Sequence, residues 1–292
     1  MPELPEVETV RLSLADRLCG LTVVDVETRH PDVLLYPSPD RLVECLRGAR
    51  FLQAARRGKY LLLHWGRAAG AGDPADSQIL LVHLRMTGRL YVGAADAPMA
   101  PHTHWRAELS DGAELRYTDP RRFGRLGLFP AAAVAARTDG KLPAGLRRLG
   151  PEPLADSFKA ADLAASLAGR RISVKGALLD QRTVAGLGNI YVDEALYRAR
   201  LHPARPAGRL GPVEVKRLHR AIRAVLREAI AHRGTTLADY RDGLNNPGEM
   251  GSRLQVFGRA GLFCRHCGHL IEKSRVAGRG TYSCHHCQVL DN

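Results

Sequence analysis

The chain has 292 residues, 45% apolar and 25% charged, with a net charge of +13 and a sequence pI near 9.9. That composition excludes a disordered or fibrous chain and allows two domains, and no run approaches the roughly 18 apolar residues of a membrane span. The 43 Lys and Arg favour a polyanion partner, because each phosphate contact releases counterions, although a genome rich in Arg and Ala codons gives the same excess without one.

The chain opens MPELPEVETV. It lacks the basic and apolar segments of a secretion signal, so a soluble, reducing compartment is expected. The cysteines agree: four of six fall in the last 29 residues, and Cys19 and Cys45 stand alone, which argues against a disulfide framework. From Pro5 to Leu18 the apolar positions Val7, Val10, Leu14 and Leu18 recur at three and four, with Pro5 suited to a first turn and Gly20 to the residue past the end. Short runs then read as strands: Leu21 to Val26, Tyr60 to Trp65, Ile79 to Leu84, Arg106 to Leu109 and Glu114 to Thr118. Arg67 to Ser77 reads as a long, mobile turn, and Pro130 to Pro153, rich in Ala, Gly and Pro, as a linker. Beyond it the pattern is helical. Val213 to Ala231 sets Val215, Leu218, Ile222, Val225 and Leu226 against Lys216, Arg217, Arg220, Arg223 and Arg227.

Cys264-Arg-His-Cys267, sixteen residues, then Cys284-His-His-Cys287 carries the most specific chemistry. Two CxxC pairs at this separation surround one zinc with four thiolates, leave no open position, and make the metal structural. Lys273, Arg275 and Arg279 lie between the pairs, either reaching phosphates or forming a solvated charged turn. Gly186-Leu-Gly-Asn189 precedes a helical stretch and suits either an anion contact or a simple capped turn. In Asp119-Pro-Arg121-Arg122-Phe123-Gly124 and His83-Leu-Arg-Met86-Thr-Gly88, Phe123 and Met86 read either as core or as wedges for a gap in a base stack. At the start, loss of Met1 would expose the Pro2 amine beside Glu3 and Glu6. A free α-amine titrates near about pH 8, so an uncharged fraction is available for Schiff-base chemistry at a sugar carbon; the same residues also suit a plain helix start.

Taken in order, MPELPEVE, RRGKYLLL, HLRMTG, DPRRFG, ALLDQ..VAGLGNIYVDEAL, RGTTL.DY, QVFGR.G and the CxxC…CxxC tail strongly resemble the formamidopyrimidine-DNA glycosylase family over nearly the whole chain. The resemblance implies an α+β fold with DNA in a cleft between domains. Its parts are an N-terminal β-sandwich catalytic domain (1–130), a hinge (131–155), a helix–two-turns–helix domain with a lesion-capping loop (156–254) and a zinc finger with its hairpin (255–292). It implies a bifunctional DNA glycosylase/AP lyase that removes oxidised purines and cleaves the strand by β,δ-elimination. The implied catalytic residues are Pro2 as nucleophile, Glu3, Lys59 and Arg279, with Glu6 in support. His104, Arg122, Asn189 and Arg279 are implied as DNA contacts, and Met86, Arg121 and Phe123 as the residues that fill the void. Cys264, Cys267, Cys284 and Cys287 would hold one structural Zn2+. The expected setting is a monomer on lesion-bearing double-stranded DNA in a bacterial cytoplasm, at the nucleoid. Asn246 to Met250 stands where the capping loop commonly carries Gly-Tyr-Phe, which leaves the choice between 8-oxoguanine and ring-opened purines open. The competing readings are an endonuclease VIII-like glycosylase for oxidised pyrimidines and a non-catalytic zinc-ribbon lesion binder.

Overall fold

The N-terminal stripe forms α1, Leu4–Leu18, in the computed structural model, which describes residues 1–66, 77–137 and 139–290. Of the stretch expected as a mobile turn, Arg67 to Ser77, only Ser77 falls within the described residues. Leu4, Val7, Val10, Leu14 and Leu18 are all buried on one face of α1, each such burial contributing about 1.5–3 kcal/mol. The helix stops at Cys19, whose ψ of 124° leaves the helical range, and Gly20 follows at φ +78°. Contacts then divide the chain into two units, Met1–Arg147 with Arg233–Gly248, and Arg148–His232 with Glu249–Asn292.

In the first unit, β1 (Val23–Thr28) is followed by α2 (Pro39–Leu46), β2 (Arg50–Arg57), β3 (Tyr60–Gly66) and β4 (Gln78–His83). Then come β5 (Arg89–Ala94), β6 (Thr103–Leu109), β7 (Ala113–Thr118) and β8 (Arg125–Pro130). They form two antiparallel four-stranded sheets, ordered β2-β3-β4-β8 and β1-β6-β7-β5. Leu61, Leu63, Leu80, Val82 and Leu126 of the first sheet share one apolar core with Leu90, Trp105, Leu115 and Tyr117 of the second and with α1.

Three strands are absent from the sequence reading. β2 does not alternate, since Leu52 is exposed and Arg56 and Arg57 close it. β8 is a continuous buried run broken by Gly127, and β5 is short. In the stretch that reads as a linker, α3 (Ala131–Ala136) and α4 (Ala144–Arg147) form, and Leu142 and Leu146 are buried. Leucines spaced at four on a loop-like background give no periodic signal before their packing surface exists.

The second unit holds α5 (Ala160–Leu167), α6 (Val174–Leu179), α7 (Asn189–Arg198), α8 (Pro212–Ala231) and a hairpin of β9 (Glu272–Val276) with β10 (Arg279–Ser283). α8 buries Val215, Leu218, Ile222, Val225, Leu226 and Ala229 as its periodicity requires. Its basic face is partly consumed internally: Arg223 donates to the carbonyls of Pro153 and Ala155 at 2.9 and 2.7 Å, and Arg217 to that of Ala199 at 2.5 Å. α7 is buried from Ile190 to Leu196 and packs against both α8 and β10. Among the described residues, no helix is long and apolar enough to cross a membrane.

Candidate active site and nucleic-acid interface

Pro2 and Glu3 lie immediately before α1 and are buried, Glu3 to within 2% exposure, while Met1 is exposed. The side chain of Glu6 explains why the chain start is ordered. One of its carboxylate oxygens accepts the N–H of Glu3 at 2.8 Å, the reach-back half of a capping box, and the other accepts the N–H of Thr235 at 2.7 Å. Tyr240 Oη donates to the Glu6 carbonyl at 3.2 Å. Glu6, 1% exposed, is thereby a bridge between the N-terminus and the 233–248 segment, which the sequence reading assigned to the helical domain. Gly234 is required beside it. Its φ is +77°, and a Cβ there would sit 2.9 Å from Glu6 Oε1. The same segment closes on itself through Asp242, whose carboxylate accepts the N–H groups of Leu244 and Asn246 at 2.9 and 2.8 Å.

Lys59 occupies the two-residue turn between β2 and β3, where Gly58 at φ +56° supplies the left-handed first position such turns need. The turn is tied to α1, since Arg56 donates to both Gly58 O and the Glu8 carboxylate at 2.9 Å. Lys59 is 7% exposed. Its charge is felt at His83: burial, then the Arg85 and Lys59 cations, push that imidazole from its ordinary 6.5 down to about 3. The neutral ring accepts the Arg85 N–H at Nδ1, 3.2 Å away.

Met86, Arg121 and Phe123 come together as an exposed group. Arg121 Nη1 lies 3.6 Å from Met86 Sδ, and its guanidinium carbon sits 4.6 Å from the Phe123 ring centroid. Met86 and Phe123 are 44% and 48% exposed, which settles them as surface residues. What holds the two loops together is Asp119, fully buried. It accepts from Thr87 Oγ1 at 2.5 Å, Tyr117 Oη at 3.1 Å, Gly124 N at 2.8 Å and Arg121 N at 3.3 Å. Sequence reasoning missed this anchor, although an Asp opening an Asp-Pro turn was its visible signal. His104, expected at DNA, is 3% exposed on β6 with Nε2 at 2.8 Å from the Asp119 carbonyl oxygen, and its Nδ1 finds no partner among the described residues. Arg122 is exposed at φ +52° and pairs loosely with Asp32 at 3.5 Å.

In the second unit Asn189 begins α7, where the N–H groups of a helix start favour an anion. Arg279 begins β10 directly after Ala277 and Gly278, both at positive φ as a tight hairpin turn requires. The two are linked: Asn189 Nδ2 donates to the Gly280 carbonyl at 2.9 Å, which also accepts from Lys175 Nζ at 3.0 Å. Lys175 in turn pairs with Asp193 at 2.7 Å, both fully buried, and the second Asp193 oxygen accepts the Tyr282 N–H at 3.0 Å. Burial raises the Asp193 carboxyl to about 6 against the pull of Lys175. A lone Lys in an apolar helix gave no sequence signal for this role. The neighbouring Glu194 accepts the N–H groups of Gln255, Val256 and Phe257 at 2.9–3.0 Å, fixing the chain just before the cysteine unit.

The sulfurs of Cys264, Cys267, Cys284 and Cys287 all lie within 4.8 Å of one another, with 3.9 Å between Cys264 and Cys287 and 3.4 Å between Cys267 and Cys284. Tetrahedral zinc at its usual bond length to sulfur sets that spacing at about 3.8 Å, so the four residues fit one ion. Burial opposes the Cys264 thiolate, yet donation from Tyr197 Oη, 3.1 Å away, and from the backbone N–H groups of Cys267 and His266 brings it down to about 6. Burial and the neighbouring sulfurs hold the Cys287 thiol up instead.

Comparison with known proteins agrees with this geometry. Residues 1–126 match the formamidopyrimidine-DNA glycosylase N-terminal domain, 149–241 its H2TH domain, and 261–289 the zinc finger found in FPG and IleRS. The formamidopyrimidine-DNA glycosylase of Symbiobacterium thermophilum is 49% identical over 99% of this chain and 90% of its own length. Lactococcus lactis FPG, solved as a variant with a Fapy-dG containing DNA, superposes with a TM-score of 0.88 at 36% identity, covering 99% of this chain and all of that one. Its complex with an abasic site containing DNA superposes equally well, at 35% identity and the same coverage. With family domains matched along most of its length and a relative at nearly half identity end to end, the chain belongs to the formamidopyrimidine-DNA glycosylase family.

Proposed function

We propose that this protein is a bifunctional base-excision repair glycosylase and AP lyase acting on oxidised purines in double-stranded DNA. The observation that carries the reading is the N-terminus: Pro2 and Glu3 are buried together at the start of α1 and fixed there by the Glu6 carboxylate. Removal of Met1 makes Pro2 a secondary amine. Its attack on C1′ of the damaged nucleotide displaces the base and gives a positively charged iminium directly. Glu3 delivers a proton to O4′ as the sugar ring opens. The iminium acidifies the C2′ proton, so elimination cleaves the strand on one side of the sugar and then on the other.

The remaining residues hold the substrate. Lys59 sits on the turn tied to α1 through Arg56 and Glu8, the part of the first unit that also carries Pro2. Met86, Arg121 and Phe123 are already assembled and exposed, as a group that fills the gap left by an everted nucleotide must be. Asn189 and Arg279 supply a phosphate clamp and Arg122 a further DNA contact, while His104, buried with Nε2 against the Asp119 carbonyl, supports the loop that carries Arg121 and Arg122 rather than touching DNA itself. Zinc bound by the four cysteines shapes the finger that presents Arg279. Action as a monomer in the bacterial cytoplasm, at the nucleoid, belongs to the same proposal.

The test is borohydride trapping on a duplex with 8-oxoguanine opposite cytosine, followed by peptide mass mapping. The expected adduct is on Pro2, and Pro2→Gly abolishes it. An adduct only on a duplex bearing 5-hydroxyuracil or thymine glycol would keep the mechanism and move the substrate to oxidised pyrimidines. No adduct on any lesion, with binding retained, would leave a lesion binder.

A further inference from the structure

Beside the four-cysteine site lies a second set of metal ligands that the zinc finger does not use. His269 and His286 stack face to face, with ring centroids 4.0 Å apart and planes within 6°. Their ligating nitrogens and the Cys267 sulfur all lie within 4.8 Å of one another. Both histidines are exposed, and Cys267 and Cys287 are the less buried of the four cysteines, Cys264 and Cys284 being buried. The open edge of the zinc site is therefore the edge at which Cys267 faces two imidazoles.

We propose that Cys267, His269 and His286 form a second, weaker site for a borderline divalent cation, the Cys267 thiolate bridging it to the structural zinc. The donor set selects the ion: one thiolate and two imidazoles suit Zn2+ or Co2+ and disfavour Mg2+ and Ca2+, which take oxygen ligands. A tetrahedral ion at ordinary bond lengths to nitrogen and sulfur spaces its ligand atoms about 3.3–3.8 Å apart. The present set is at most about 1.5 Å too wide. Rotation of the two exposed rings, whose planes are now parallel, closes that gap and turns their nitrogens towards one ion. His269 Nδ1 lies 3.3 Å from the Cys267 carbonyl oxygen, which leaves Nε2 as the ligating atom. Three protein ligands leave the fourth position to water, unlike the closed cysteine site. A thiolate shared between two ions donates less charge to each, so this site fills after the first and empties before it.

The experiment counts metal in the full-length, zinc-loaded protein. After equilibrium dialysis in excess Zn2+, wild type holds two ions per chain. Added Co2+ gives tetrahedral d–d bands with a sulfur-to-cobalt charge-transfer band, and the original zinc stays bound. Because these residues are direct ligands, His269→Ala and His286→Ala each weaken the second ion at least tenfold and keep the first. Retention of the first zinc shows that each variant is folded. One ion per chain in wild type would overturn the proposal. So would a second ion bound equally well by the double variant, or cobalt that enters only by expelling zinc.

Discussion

The carboxylate of Glu6 accepts the backbone N–H of Thr235 at 2.7 Å, joining residues 229 positions apart. Its other oxygen takes the Glu3 N–H. The order of the chain start therefore depends on a remote loop. Gly234 and Gly48 provide a matched test, since both have φ +77°, but a Cβ at Gly48 meets nothing within 4 Å while one at Gly234 meets Glu6. Gly48→Ala should cost about 1–2 kcal/mol, the left-handed penalty alone. Gly234→Ala should cost at least about 1 kcal/mol more in denaturant unfolding and slow Schiff-base trapping. Equal costs and unchanged trapping would show that the Glu6 bridge does not position the N-terminus.

Asp119 is the buried hub under the Met86 and Phe123 loops. Asp119→Asn removes acceptor capacity facing Thr87, Tyr117 and two backbone N–H groups, and should destabilise by about 2–4 kcal/mol. Arg122→Ala breaks only an exposed pair with Asp32 and should change stability by less than about 0.5 kcal/mol. Urea titration of both variants measures the contrast, and an Asp119→Asn midpoint equal to wild type would remove the hub from the account.

Lys175 and Asp193 hold the Gly280 carbonyl and the Tyr282 N–H in place, and hence the strand that begins with Arg279. Lys175→Met leaves a carboxylate buried without its cation and should cost about 3–5 kcal/mol, whereas Lys175→Met with Asp193→Leu should recover much of it. If the double variant recovers stability but not DNA affinity, the pair serves to position the clamp. Full recovery of both would make it a packing feature only.

His83 gives a pH signature. Its imidazole titrates at about 3 in the fold against an ordinary 6.5, so the unfolded chain binds the extra proton between those values. The contribution is intact above pH 6.5 and falls as the medium is acidified, by about 1.4 kcal/mol per pH unit down to pH 3. Wild type should lose this amount relative to His83→Gln, and a gap independent of pH in that window would show a freely ionising ring.

Zinc removal should unfold the finger, whose apolar cluster is four buried residues, Val256, Cys264, Ile271 and Cys284, with two of them metal ligands. Binding energy of the metal is folding energy in so small a unit. Chelation should therefore abolish lesion-duplex binding in a gel-shift titration. Normal binding by the metal-free protein would separate the finger from the DNA site.

The CxxC pairs fixed the zinc site from sequence, because knuckle spacing leaves four thiolates few other arrangements. The periods of α1 and α8 were equally legible, since a helix writes its buried face at intervals of three and four. Quoted motifs also placed Met86, Arg121, Phe123, Asn189 and Arg279 in view without showing which of them touch. Tertiary structure alone decided that Met86 and Phe123 are exposed and bridged by Arg121, that Asp119 anchors both loops, and that Lys175 and Asn189 share the Gly280 carbonyl. Only the folded chain brings Thr235 to Glu6, and His286 to His269. Local periodicity reports which face a residue presents. Partners far apart in sequence exist only once the backbone has paid the entropy of closing the loop between them.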